Sequence, residues 1–166
     1  MIYLLGIFLF EILAIIQSTI VSAMPLLKGT TDLILLFIIA WALQDRVESA
    51  WQWCLIGGLL ISLYSGLPFG VLILAYLLCV PIAKLLKRRI WKAPFLAMLA
   101  ATFVSTILVQ FISMASRLIT GVNIPLMDAL NLILLPSLLL NLILAIPVFS
   151  IVRDIASWMY PEELEA

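Results

Sequence analysis

"LIGGLLISLYSGLPFG", residues 55–70, decides how the chain folds, because it lies inside a nearly unbroken apolar run yet contains four glycines and a proline. That run, residues 51–83, is too long for one membrane crossing at about 20 residues each and tight for two. The residue before Pro68 is pushed out of helical geometry, and Gly66 and Gly70 permit tight reversal. The stretch therefore predicts two short helices, residues 51–64 and 69–84, folded back on one another. A re-entrant hairpin is the alternative, allowed where protein or water satisfies its backbone.

The solvent is set by composition. Of 166 residues, 66% are hydrophobic and 11% charged, and the mean hydropathy is +1.28, far from the soluble average. Working outward from the hairpin, the sequence predicts an all-α integral membrane protein, one transmembrane domain over residues 1–166, with six spans near 2–24, 32–44, 51–64, 69–84, 93–116 and 129–152. The first span has the small residues "VSA" of a cleavage site, but Glu11 interrupts its apolar run and no base precedes it, so it reads as an uncleaved helix. The second and third spans are short, and such helices recruit flanking residues, thin the bilayer or are shielded by neighbours. Pro136 and Pro147 are expected to kink the last span.

Charge gives the orientation. Lys84, Lys87, Arg88, Arg89 and Lys92 cluster in "KLLKRRIWK", and six spans place them with Arg46 and Arg153 on one side, against Lys28 and Arg117 on the other. Lys and Arg are retained in cytoplasmic loops, so both termini are expected in the cytoplasm. The cluster reads equally as a topology signal or as a contact for anionic lipid head groups. Trp51, Trp53, Trp91 and Trp158 flank spans as interface anchors do.

Polar residues at membrane depth are functional hypotheses by default. Those singled out are Glu11, Gln17, Asp32 at the head of the second span, and Asn141. At 100° per residue Ser18 and Ser22 share a stripe with Glu11, while Gln17 projects elsewhere. Thr102, Ser105, Thr106, Ser113 and Ser116 share a broad face of the fifth span, with Gln110 at its margin. Such groups let helices approach and hydrogen-bond across the contact, or they line a ligand surface; Asn131 and Asn141 admit the same two readings. With no histidine in the chain, Ser-His and Cys-His catalysis and most zinc sites are excluded. No catalytic residue, cofactor or metal is expected, and Cys54 and Cys79 read as buried thiols.

Three segments in order carry a resemblance: "IIQSTIVSAMPLLKGTTDLILLFIIAWAL", "GGLLISLYSGLPFG" and a helix closing in "KLLKRR". Together they resemble the rod shape-determining protein MreD family, over about residues 15–90. The matching positions are Gln17, Thr19, Asp32, Trp41, Ala42, Leu43, Gly58, Ser65, Gly66, Pro68 and Gly70. Thr31 stands where the family usually has Pro, and Ser62 where it often has Asp. The resemblance implies a non-enzymatic component of the bacterial elongation machinery in the cytoplasmic (inner) membrane. Its implied partners are an MreC-like bitopic protein and, through it, MreB-like filaments and a RodA-like glycosyltransferase with its transpeptidase; nucleic acid is not among them. It also implies a six-helix fold similar to the S components of energy-coupling-factor transporters.

Two uses of the broken hairpin follow. It is either a tight outward-facing turn or a docking groove for a partner's transmembrane helix, formed by Gly57, Gly58, Ser65, Gly66, Pro68 and Gly70. The alternative function is an S-component-like subunit that binds a vitamin in a pocket near "ITGVNIPLMD", where Asn123 and Asp128 are the conspicuous ligand-type groups.

Overall fold

The computed structural model describes residues 2–21, 30–45, 47, 49–90, 92–122 and 125–160. These form six helical rods and, among the described residues, no strand. The first rod is α1 (Ile2–Ile16), continued by a π turn, Gln17–Val21. Then come α2 (Leu33–Ala42), α3 (Ala50–Tyr64), α4 (Val71–Arg89) and α5 (Pro94–Ile119). The last rod joins a single turn, α6 (Leu126–Asp128), a π segment Ala129–Leu134 and α7 (Leu135–Met159).

Every residue of α2 is buried. It packs against α1, α3, α4, α5 and α7, so it is the axis around which the others are arranged. This explains the sequence "LILLFIIAWA": a helix apolar all round is one enclosed on every side. Ten residues make a rod of about 15 Å, half the roughly 30 Å hydrocarbon thickness. α2 is enclosed by the other rods, so its open terminal backbone groups need partners within the protein.

The hairpin forms as the sequence predicts, with α3 and α4 packed side by side about a reversal at residues 65–70. Gly70 has φ +93° and caps α4 in the left-handed region, which a side chain would strain. At Gly58 a Cβ would lie 3.2 Å from Ile73 Cα, so the bare glycine sets the closeness of the two helices. Gly57 faces inward, its Cβ position 3.0 Å from Ile34 and Ile38 on α2 and 3.2 Å from Phe10.

The solvent argument is reflected in which residues face outward. Phe8, Leu59, Leu63, Leu74, Leu78, Phe103, Phe111 and Ile143 are exposed, whereas Thr102, Ser105, Thr106, Ser137 and Asn141 are buried. Two rods, Pro94–Ile119 and Ala129–Met159, are long and apolar enough to cross a bilayer by length and composition. The last rod runs beyond the expected end at residue 152, and the helix continues through Pro147.

One expectation is corrected. Trp53 is no interface anchor: it is 1% exposed and packs against the rings of Trp41 (ring centroids 4.6 Å apart), Phe37 and, edge-on, Phe10, while Trp51 and Trp158 are exposed. Trp91 lies outside the described residues. The basic cluster begins on a helix, since α4 runs to Arg89 with Lys87, Arg88 and Arg89 in its last turn. Lys87 is also tied to the chain itself, pairing with Asp45 at 2.9 Å and donating to the Gln44 carbonyl at 2.8 Å, just beyond the C-terminus of α2. A cation there complements the helix dipole and an open carbonyl. Lys87→Met is expected to cost about 1 kcal/mol of stability, read as a lower unfolding temperature in detergent, with Lys87→Arg close to wild type.

Candidate functional site

The N-terminus of α2 gathers polar side chains from four other elements. Asp32 is its N-cap, and its carboxylate accepts from the Leu35 N–H at 3.0 Å and from the Tyr76 hydroxyl on α4. The Asp32 N–H donates to Asn141 Oδ1 on α7 at 2.9 Å, and the Leu33 N–H donates to Gln17 Oε1 at 2.9 Å. Asn141 Nδ2 in turn donates to Thr106 Oγ1 on α5 at 3.0 Å, and the Thr30 N–H donates to Ser137 Oγ at 3.0 Å. Helix-terminal N–H groups enclosed by other rods must find protein acceptors. The polar residues of α1, α4, α5 and α7 supply them or support those that do.

Three of the four intramembrane candidates, Gln17, Asp32 and Asn141, thus meet at one place. Glu11 does not join them. Its carboxylate accepts from the Tyr64 hydroxyl at 2.9 Å, a bond between α1 and α3 on the outer surface. Ser18 is exposed and bonds back to the Ile15 carbonyl at 3.0 Å; Ser22 lies outside the described residues. Gln17 does project away from Glu11, as helical spacing requires, and that direction is inward, at the opening of the π turn. Thr102, Ser105, Thr106 and Ser116 on α5 are buried, Thr106 accepts from Asn141 across the helix contact, the Thr102 and Ser105 hydroxyls have no hydrogen-bond partner among the described residues, and Asn131 is exposed.

Beside this network lies a cavity of about 500 Å³, within the size range of small-molecule pockets, with Gln17, Thr30, Thr31 and Asp32 at the α2 end. Its walls come from the α3–α4 turn (Tyr64, Ser65), from α5 (Gln110, Ser113, Arg117) and from the π segment, whose Leu130, Ile133 and Leu134 are apolar. The Thr31 hydroxyl is buried and has no hydrogen-bond partner. Sequence reasoning placed a pocket near this connector but assigned it Asn123, which is outside the described residues, and Asp128, which is exposed and not among the lining residues. The actual polar lining comes from residues far apart in the chain, and no local motif signals it.

The hairpin candidates divide. Gly57 and Gly58 are buried against α1, α2 and α4, so they form no groove for an outside helix. Ser65, Gly66, Pro68 and Gly70 sit on the turn, and a Cβ at Gly66 or Gly70 would meet nothing within 4 Å. Of the basic residues, Lys84 lies 5.8 Å from the Trp51 ring centroid, Lys87 is engaged as above, and Arg88, Arg89 and Lys92 are exposed. Cys54 and Cys79 are free and buried. Among the described residues no cluster of three or more acids or cysteines is placed to hold a metal ion.

Asn141→Leu removes the bridge between α2, α5 and α7 at nearly constant volume. It leaves the Asp32 N–H and the Thr106 hydroxyl unpaired and is expected to cost about 2 kcal/mol. In a double-mutant cycle with Thr106→Val, thermal unfolding should show a coupling of about 0.6–1.7 kcal/mol, the range for interhelical bonds in membranes.

The fold and this site define a class: an α-helical membrane protein whose interior polar groups hold a buried half-length helix in place. The chain belongs to the family of rod shape-determining protein MreD, whose profile matches residues 1–156. No curated protein and no solved structure matches it. Membership points to a role in rod-shape determination, and two rods long and apolar enough to cross a bilayer are consistent with a membrane location.

Proposed function

We propose that the protein works by binding rather than by chemistry, as a multi-pass scaffold of the cell-elongation complex. It holds an MreC-like bitopic partner and through it helps link MreB-like filaments to a RodA-like glycosyltransferase and its transpeptidase. The observation that carries this reading is the family match over residues 1–156. Two features support it: Gln17, Asp32, Tyr76, Thr106 and Asn141 bond one another or a helix end, and the outer surface is apolar and open to another helix. The reading includes six crossings with both termini in the cytoplasm, which puts the basic end of α4 inside and the α3–α4 turn outside.

The test is co-expression with an MreC-like partner, followed by co-purification and by rescue of rod shape in cells lacking the native protein. Failure of both overturns the reading. The exposed turn is the cleaner place to probe docking. Gly66→Leu has room for its side chain, so it should leave thermal stability unchanged and weaken partner capture if the turn is part of the interface.

A second reading, a subunit that binds a small water-soluble molecule, is favoured by one observation, the cavity of about 500 Å³ with polar groups at the α2 end. Ser113→Trp would fill it. A small molecule retained by the purified wild type and lost from this variant, detected by mass spectrometry, would support that reading. Rod-shape rescue undiminished by the same variant would remove it.

A further inference from the structure

Glu11 stands apart from every other polar group described above. It lies in the middle of α1, whose remaining residues from Ile2 to Ile16 carry no other charge. On its own face the neighbours one turn before and after, Ile7, Phe8 and Ile15, are exposed apolar side chains. Its one bond among the described residues comes from Tyr64, itself 63% exposed, and no described cation is paired with it. The network at α2 lies on another side of the same helix, so Glu11 contributes nothing to it.

A carboxylate set in an apolar surface costs more to cover than a single phenol hydrogen bond returns. Desolvation is offset when a cation sits against it, and most fully when the cation brings several donors, as a guanidinium does. The surface around it, Phe8 and Ile15 on α1 and Leu59 and Leu63 on α3, is apolar and shaped by two parallel-running rods, which suits a helix laid alongside.

We propose that the α1–α3 face is a docking surface for a transmembrane helix of another protein that carries one basic residue, an arginine or lysine, at the depth of Glu11. The Glu11 carboxylate pairs with that cation, Tyr64 holds the carboxylate in place from the other side, and the surrounding apolar residues pack against the helix. This rests on the scaffold reading and adds the face and chemistry by which a partner is held. The occupant is set by charge complementarity: the site offers an acid that no described cation pairs, inside an apolar field, and a wholly apolar helix would leave it without one.

The test uses the full chain in lipid nanodiscs and two synthetic helices of about 20 leucines and alanines, identical except that one has a central arginine and the other a central leucine. Fluorescence energy transfer from the chain to labelled peptide reads binding. The arginine helix should bind about tenfold more tightly, and Glu11→Gln, which keeps an acceptor for Tyr64, should bring the two within about twofold of each other. Moving the arginine two turns toward either end should also abolish the preference. Equal binding of both helices to the wild type, or a preference that survives Glu11→Gln, overturns the proposal. Capture of the MreC-like partner is scored separately: if Glu11→Gln retains it, the scaffold reading stands and this face is not its basis.

Discussion

Gly58→Leu is expected to give the largest loss of stability of any single substitution at the hairpin, about 3 kcal/mol. The reason is the nature of the neighbour. At 3.2 Å the atom facing a new Cβ is Ile73 Cα, part of a helix backbone that cannot rotate away, so a larger side chain must separate α3 from α4. Gly58→Ala should already destabilise, whereas Gly57→Ala meets side-chain atoms, Ile34 Cγ2 and Ile38 Cδ1 at 3.0 Å and Phe10 Cζ at 3.2 Å, which yield more readily than a helix backbone. There the gain from replacing a helical glycine, about 0.5–1 kcal/mol, offsets the crowding. Thermal unfolding followed by the fluorescence of the Trp41–Trp53 pair, whose centroids are 4.6 Å apart, distinguishes the cases. Equal effects of alanine at both positions would show that the approach of α3 to α4 is not fixed at Gly58.

Asp32→Leu should cost a comparable amount by a different route. The Leu35 N–H loses its cap, worth about 1 kcal/mol, and the wholly buried Tyr76 hydroxyl loses its acceptor, worth about 1–3 kcal/mol. Asp32→Asn is the control. Asparagine caps as well as aspartate, and a tyrosine hydroxyl can accept from the new amide, so this variant should stay within about 1 kcal/mol of wild type. If Asn and Leu are equally damaging, the charge matters beyond the hydrogen bonds, and a ligand or proton role for Asp32 gains weight. Rod-shape rescue separates the two outcomes: a purely structural Asp32 predicts that Asp32→Asn rescues fully.

Much of the fold was legible in the sequence. Composition named the solvent, hydropathy marked the rods, and Gly66, Pro68 and Gly70 marked the reversal between α3 and α4 at the observed place. The ordered motifs of residues 15–90 pointed to the MreD family that the profile match shows. These features are local or periodic, and the bilayer enforces them through the cost of unpaired backbone groups.

What the sequence could not supply was the identity of neighbours. In a soluble protein apolar residues point in and polar ones out, so a hydropathy stripe also gives direction. In lipid both the interior and the exterior are apolar, and the stripe loses that meaning. Hence Trp53 and Trp51, two residues apart, looked alike, and only packing put one in the core. Hence also Gly57 and Gly58 looked like a surface for a partner when they serve α1, α2 and α4. The meeting of Gln17, Asp32, Tyr76, Thr106 and Asn141, contributed by five rods, came from the tertiary structure alone, because a helix too short to cross the membrane has to be capped by whatever side chains the surrounding rods bring to its end.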